Sequence, residues 1–242
     1  MILVNPDIHG RTFWKDHINV NDYSQIVFLG DYLDPYPWEN IEKEEALSNF
    51  KEILEFKKSF PDKVTLLLGN HDTHYLFGDD DCRIDSLNYI AIKNLFVKEY
   101  QLFKLGIIID KVSFTHAPIQ KEWKDNNCVK AVIGNNETLE DIIYKLNNTW
   151  NDSVEAGKFS KIETILCRAS WVRGGWDNYG SPIWSDVREL SKEDDPWPGY
   201  YQIFGHTQLE KDAIITDHFA CLDCRKSFEV TIDNNKINIA EA

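Results

Sequence analysis

Five apolar runs in this chain end in the same way, and that regularity limits the fold more than any other feature. "MILVN" leads to Asp7 and His9, "QIVFLG" to Asp31, "VTLLLG" to Asn70 and His71, "VSFT" to His116, and "YQIFG" to His206. Short runs of Val, Ile, Leu and Phe read as buried strands. Each delivers an Asp, Asn or His at its C-terminal end, usually beside a Gly that lets the backbone turn sharply. In open α/β sheets ligands bind at that strand edge. If the strands are neighbours, two Asp, one Asn and three His converge on one pocket, with His71 next to it.

The rest of the pattern places helices between the strands. Strands are predicted over 2–5, 25–29, 64–68, 106–109, 112–115 and 201–204, with a C-terminal set over 213–232. Leu47, Phe50, Ile53 and Leu54 fall at helical spacing and predict a helix over 41–60, ended by Pro61. Helices are also predicted over 86–100 and 138–146, the second opening on Thr138-Leu139-Glu140-Asp141 as a capping box. This alternation predicts a layered α/β fold, and the later hairpin-like strands predict a mixed sheet. A single domain over 1–242 is expected, with a helical and Trp-rich region inserted at about 120–200. Within it, 171–201 carries Trp171, Trp176, Trp184 and Trp197 among Gly and Pro. Such a long loop is either packed by its own aromatics or forms the rim of a site.

Composition narrows the function classes. With 43% hydrophobic and 27% charged residues the chain can bury a sizeable core and reads as globular. Its net charge of −14 argues against general nucleic-acid binding, which needs a basic face. No run approaches the ~20 apolar residues of a membrane span. The opening "MILVNPDIHG" lacks the basic and apolar regions of a signal peptide. Five cysteines at irregular spacing do not suggest a disulfide framework. A cytoplasmic location is therefore expected.

Imidazole and carboxylate donors suit Mn, Fe or Zn, and the lack of Cys at the strand ends argues against a soft thiolate site. Six ligands are too many for one catalytic ion that must keep an open position. Two divalent transition-metal ions sharing an Asp fit the count better.

The motifs "PDIHG", "GDYLD", "GNHD", "FTHA" and "FGHT", in this order from Asp7 to His206, resemble those of the calcineurin-like metallophosphoesterases. In style they are nearest to the serine/threonine phosphoprotein phosphatases and their bacterial and phage relatives. The resemblance implies a β-sandwich of mixed sheets flanked by helices, with a dinuclear centre at the C-terminal strand ends. It implies that Asp7, His9 and Asp31 hold one metal, that Asp31 bridges, and that Asn70, His116 and His206 hold the second. His71 would be the proton donor, oriented by Asp34. The chemistry agrees with the residue types. Two Asp against two divalent ions leave a positive site that suits a phosphate dianion and a metal-bridging hydroxide nucleophile. An imidazole can protonate the leaving alkoxide, and Asp34 can fix its tautomer.

Three departures from the pattern stand out. Pro6 replaces the Gly that usually precedes the first Asp. Pro35 stands where the protein phosphatases have an Arg that grips phosphate. Gln208 stands where many members have a second His. "SWVRGG" resembles the Arg-containing segment of bacterial and phage phosphatases, which makes Arg173 the expected substrate-binding residue; Arg11, Arg83 and Arg188 are the other candidates. His17, His74 and His218 read as surface or core residues, Cys221 and Cys224 as strand packing, and Asp79, Asp80 and Asp81 as a solvated loop. The expected function is metal-dependent phosphoester hydrolysis of a phosphorylated small molecule, nucleotide or phosphoprotein. The alternatives are a nucleotide polyphosphate hydrolase resembling the symmetric dinucleotide tetraphosphatases, a nuclease, and a non-catalytic metal-binding scaffold.

Overall fold

The computed structural model describes residues 1–17, 19–78, 83–135, 138–190, 197–233 and 236–242. The acidic run Asp79 to Asp81 lies outside them. Internal contacts divide the chain into two compact units: residues 1–103 with 224–242, and residues 104–223.

The first unit carries β1 (Ile2–Asn5), β2 (Gln25–Phe28), α1 (Lys43–Ser59), β3 (Val64–Leu67), α2 (Asn70–Phe77), α3 (Tyr89–Lys98) and, at its boundary, β4 (Phe103–Lys104). From the far end of the chain it adds β10 (Phe228–Asp233) and β11 (Lys236–Glu241), numbered in chain order. The sheet order is β11-β10-β1-β2-β3-β4. β1, β2 and β3 run parallel, while β10 is antiparallel to β1 and β11 to β10. All four residues of β1 are buried, as expected of a parallel strand covered on both faces. The core beside the sheet is aromatic: the Phe50 ring lies 5.0 Å from both Tyr32 and Phe96. Trp14 Nε1 donates to Asn49 Oδ1 at 3.1 Å and ties the segment after β1 to α1.

The second unit carries β5 (Gly106–Ile109), β6 (Val112–Thr115), α4 (Lys121–Asp125), α5 (Asn127–Ile133), α6 (Leu139–Glu155), α7 (Ser160–Leu166), β7 (Tyr201–Phe204), β8 (Ile214–Ile215) and β9 (Phe219–Cys221). The sheet order is β5-β6-β7-β9-β8, with β6, β7 and β9 parallel and antiparallel strands at both edges. The protein is thus mixed α/β, with two mixed sheets and flanking helices. Among the described residues no helix is long and apolar enough to cross a membrane.

Three elements differ from expectation. α6 runs to Glu155 because Trp150 and Val154 continue the buried stripe of Leu139, Ile142, Ile143 and Leu146. Packing of that stripe outweighs the poor helix propensity of the Asn and Thr between them. It starts at the expected N-cap, but with only half of a capping box: Thr138 Oγ1 accepts from the Asp141 amide at 3.2 Å, and the Asp141 carboxylate accepts from the Thr138 hydroxyl. The C-terminal strand set is divided, because β8 and β9 finish the second sheet while β10 and the unforeseen β11 close the first. "GNHD" is not a plain turn; its Asn opens α2.

Candidate metal centre

The parallel register of β1, β2 and β3 brings their C-terminal ends side by side. Asp7 and His9 follow β1, Asp31 follows β2, and Asn70 and His71 follow β3; all five are buried. The turns are tight. His9, Asp31 and Asp34 hold positive φ angles of 43°, 51° and 61°, a region L-residues avoid. Backbone strain of this kind collects at functional sites. Gly30, at φ 111°, has no room for a side chain, since a Cβ there would lie 2.5 Å from the Gly69 amide nitrogen.

One carboxylate pins these turns together. Asp72 is fully buried and accepts from the amides of Asp31 (2.8 Å), Tyr32 (3.0 Å) and Gly69 (2.8 Å). The sequence reading assigned Asp72 no role. The signal was present as an acidic residue three positions after the Gly that precedes a helix, the spacing of an N-terminal cap.

Donor atoms of His9, Asp31 and His71 lie within 4.8 Å of one another. His9 Nδ1 donates to the Leu33 carbonyl at 2.8 Å, which leaves Nε2 as the lone-pair nitrogen, 3.5 Å from Asp31 Oδ2. A metal-binding His is oriented by its second nitrogen in this manner. Burial, and then the charge of His71, Arg83 and Arg11, holds His9 well below its ordinary value and so neutral. Burial, with Asp7 adding to it, pushes the Asp31 carboxyl above the usual carboxylate range. A neutral imidazole and carboxylates short of positive charge form a donor set that a divalent cation fits.

His71 is placed differently. Its Nδ1 meets Asp34 Oδ2 at 2.9 Å and its Nε2 meets Arg83 Nη2 at 2.7 Å. A guanidinium can only donate, so Nε2 accepts and the Nδ1 proton points to Asp34. Both ring nitrogens are engaged by protein groups, which separates His71 from the ligands. Asp34 is held by Tyr75 Oη, which donates to its other oxygen. Burial and then the Asp34 charge raise the Tyr75 phenol above its ordinary value, so it remains a donor.

In the second unit the parallel pair β6 and β7 ends in His116 and His206. His116 Nε2 lies 3.1 Å from His206 Nδ1, and His206 also has a positive φ of 63°. Arg173 stands behind this pair. Its Nε is 2.7 Å from Asp186 Oδ2, and its Nη2 donates to the His206 carbonyl at 3.0 Å. Burial would raise the Asp186 carboxyl, but hydrogen bonds from Arg188 and the charge of Arg173 outweigh it and hold it below the usual range.

These arrangements match a known family. Residues 6–229 match the calcineurin-like phosphoesterases across both units. The chain belongs to that family. Solved structures of similar fold include a cold-active protein-tyrosine phosphatase of a psychrophilic Shewanella species. It is 15% identical with a TM-score of 0.62, over 99% of this chain and 79% of that one. A protein serine/threonine phosphatase from Saccharomyces cerevisiae is 12% identical with a TM-score of 0.58, over 99% and 78%. Membership of the family supports a metal-dependent phosphoesterase, and the neighbours share its fold.

The other candidates have structural roles. Arg11 is committed to Glu39 and the Asp7 carbonyl, and Arg188 to Asp186. His74 is buried in α2, 5.5 Å ring to ring from His71. Cys221 packs with Val187, Leu190, Phe204 and Phe219. The described part of the Trp-rich segment is organised by Glu189, which accepts from Ser170 Oγ, the Gly180 amide and the Asp186 amide. Trp171 and Trp176 are exposed, not packed. A cavity of about 540 Å³ there is lined by Trp171, Val172, Asn178, Tyr179, Arg188 and Glu189.

Proposed function

We propose that the whole chain acts as one catalytic domain that hydrolyses phosphate monoesters. The observation that carries this is the placement of His71, held by Asp34 beside the His9 and Asp31 donors. Asp7, His9 and Asp31 would hold one divalent ion and Asn70, His116 and His206 the other, with Asp31 shared; Mn and Fe suit these donors best and Zn fits them. When bound, such ions generate a nucleophile from water at neutral pH and neutralise phosphoryl oxygens. With Nδ1 held by Asp34, His71 acts once Nε2 has exchanged its bond from Arg83 for a proton from solvent; that imidazolium then delivers the Nε2 proton to the leaving oxygen. Arg173 contacts the phosphoryl group from the side of His206. Phosphatases acting on proteins are among the neighbours, which makes a phosphorylated side chain the first substrate class to test.

The experiment uses manganese-loaded protein and a series of aryl phosphates of graded leaving-group acidity. Chelation should abolish turnover. His71→Ala should keep its metal and lose ~10²–10⁴ in kcat, the usual share of a general acid, with the loss shrinking for the most acidic leaving groups. Wild-type protein that binds no stoichiometric metal, or an equal loss across the series, would sink the reading.

A further inference from the structure

Pro35 removes the guanidinium that related protein phosphatases supply directly after "GDYLD". The structure brings another one to the same place from a different segment. Arg83 lies beyond α2, yet its Nη1 donates to the carbonyl of Asp34, the residue next to Pro35, at 2.9 Å. Its Nη2 reaches His71 Nε2 at 2.7 Å, the nitrogen that faces a leaving group when Nδ1 is held by Asp34. The guanidinium carbon stands 3.7 Å over the Tyr36 ring, and the same ring meets the His9 imidazole edge-on at 5.0 Å. Tyr36 therefore gives Arg83 a flat seat and fixes its plane by a cation–π contact.

We infer that Arg83 is the phosphate-gripping residue on the His71 side of the site, and that it takes over in space the role that position 35 gives up in sequence. The inference rests on the phosphoesterase reading above and adds to it a second phosphoryl-binding residue besides Arg173. A guanidinium fork offers two parallel donors to a phosphate, and its charge is permanent. Arg11 and Arg188 do not compete for the role, since each is committed to a carboxylate, Glu39 and Asp186 respectively. Arg83 contacts the proton donor itself. A phosphoryl oxygen entering beside His71 meets the Nη2 donor, which exchanges an imidazole nitrogen for an anionic oxygen, the stronger acceptor. Nη1 keeps its bond to the Asp34 carbonyl, so the side chain need not leave its seat on Tyr36.

The test uses full-length, manganese-loaded protein, with inorganic phosphate as the probe and p-nitrophenyl phosphate as the substrate. In Arg83→Ala the inhibition constant of phosphate should rise ~10- to 100-fold, as expected for one charge-assisted contact. Metal content should match wild type. Arg83→Gln keeps an amide donor for the Asp34 carbonyl without the charge, and should show a comparable loss. Adding Pro35→Arg to Arg83→Ala should restore part of the phosphate affinity, which a purely structural role for Arg83 would not allow. If Arg83→Ala fails to fold, Arg83→Gln decides. An active wild type whose phosphate inhibition survives both substitutions to within about twofold overturns this assignment alone. A wild type that takes up metal but neither binds phosphate nor turns over overturns the proposed function, and this inference with it.

Discussion

At Asp72 one carboxylate accepts three backbone N–H groups from two different strand-end turns. Hydrogen bonds to a buried charge contribute more than neutral ones, and a donor left unpaired costs its full desolvation. Asp72→Asn turns one acceptor into an NH₂ that faces an N–H, so we expect a loss of about 2–4 kcal/mol in urea unfolding. A loss below about 1 kcal/mol would mean that the turns hold without it. The same residue shows what a sequence does and does not disclose. The strand-end positions of Asp7, His9, Asp31, Asn70, His71, His116 and His206 were legible because each follows an apolar run. Asp72 was not, and Arg83 was one candidate arginine among four, because neither sits at a strand end. Asp72 works through backbone amides, which leave no trace in residue type, and Arg83 through a position defined only by folding.

At the scale of elements, the loop from Trp171 to Leu190 is held by ionic and backbone hydrogen bonds, with Asp186 between Arg173 and Arg188. The Asp186 carboxyl sits below its unfolded value. Its contribution to stability is therefore complete above about pH 4, the unfolded carboxylate range. It is lost as pH falls through the lower folded value. Asp186→Asn should cost about 1–2 kcal/mol at neutral pH. That deficit should narrow as melting curves are taken from pH 5 down to pH 3, and a constant deficit over the range would contradict the account. The strands were the most readable elements, since four-residue runs such as "QIVF" and "VSFT" have no competing interpretation at that length. α2 was hidden because its buried face is polar, with Asn70, His71, Asp72, Thr73 and His74 all inside. No apolar period marks such a helix. β11 was hidden for a different reason: "KINIAE" holds only three apolar residues in an exposed to half-buried strand, and its pairing with β10 defines it.

For the molecule as a whole, acidic donors buried near His9 are costly to hold ionised: burial first, and Asp7 after it, pushes the Asp31 carboxyl upward. A ligand that binds only the native state adds about 2.7 kcal/mol at a hundred times its Kd. For a chain of this size that is ~5–10 °C. Adding Mn²⁺ to chelated protein should raise the melting temperature by that much, and an unchanged transition would count against a resident cation. The two sheets also differ in when they can be completed. β1 takes its outer partner from β10, with Ile2 opposite Val230, and Ser227 Oγ reaches Asn5 Oδ1 at 2.7 Å. Every strand of the second sheet precedes β10 in the chain and is synthesised before it. Over that interval β1, already synthesised, waits with an open edge that can pair wrongly. A chain stalled or cut short before residue 228 would carry a finished second sheet and an unfinished first one, and quality control would meet it at the exposed flank of β1.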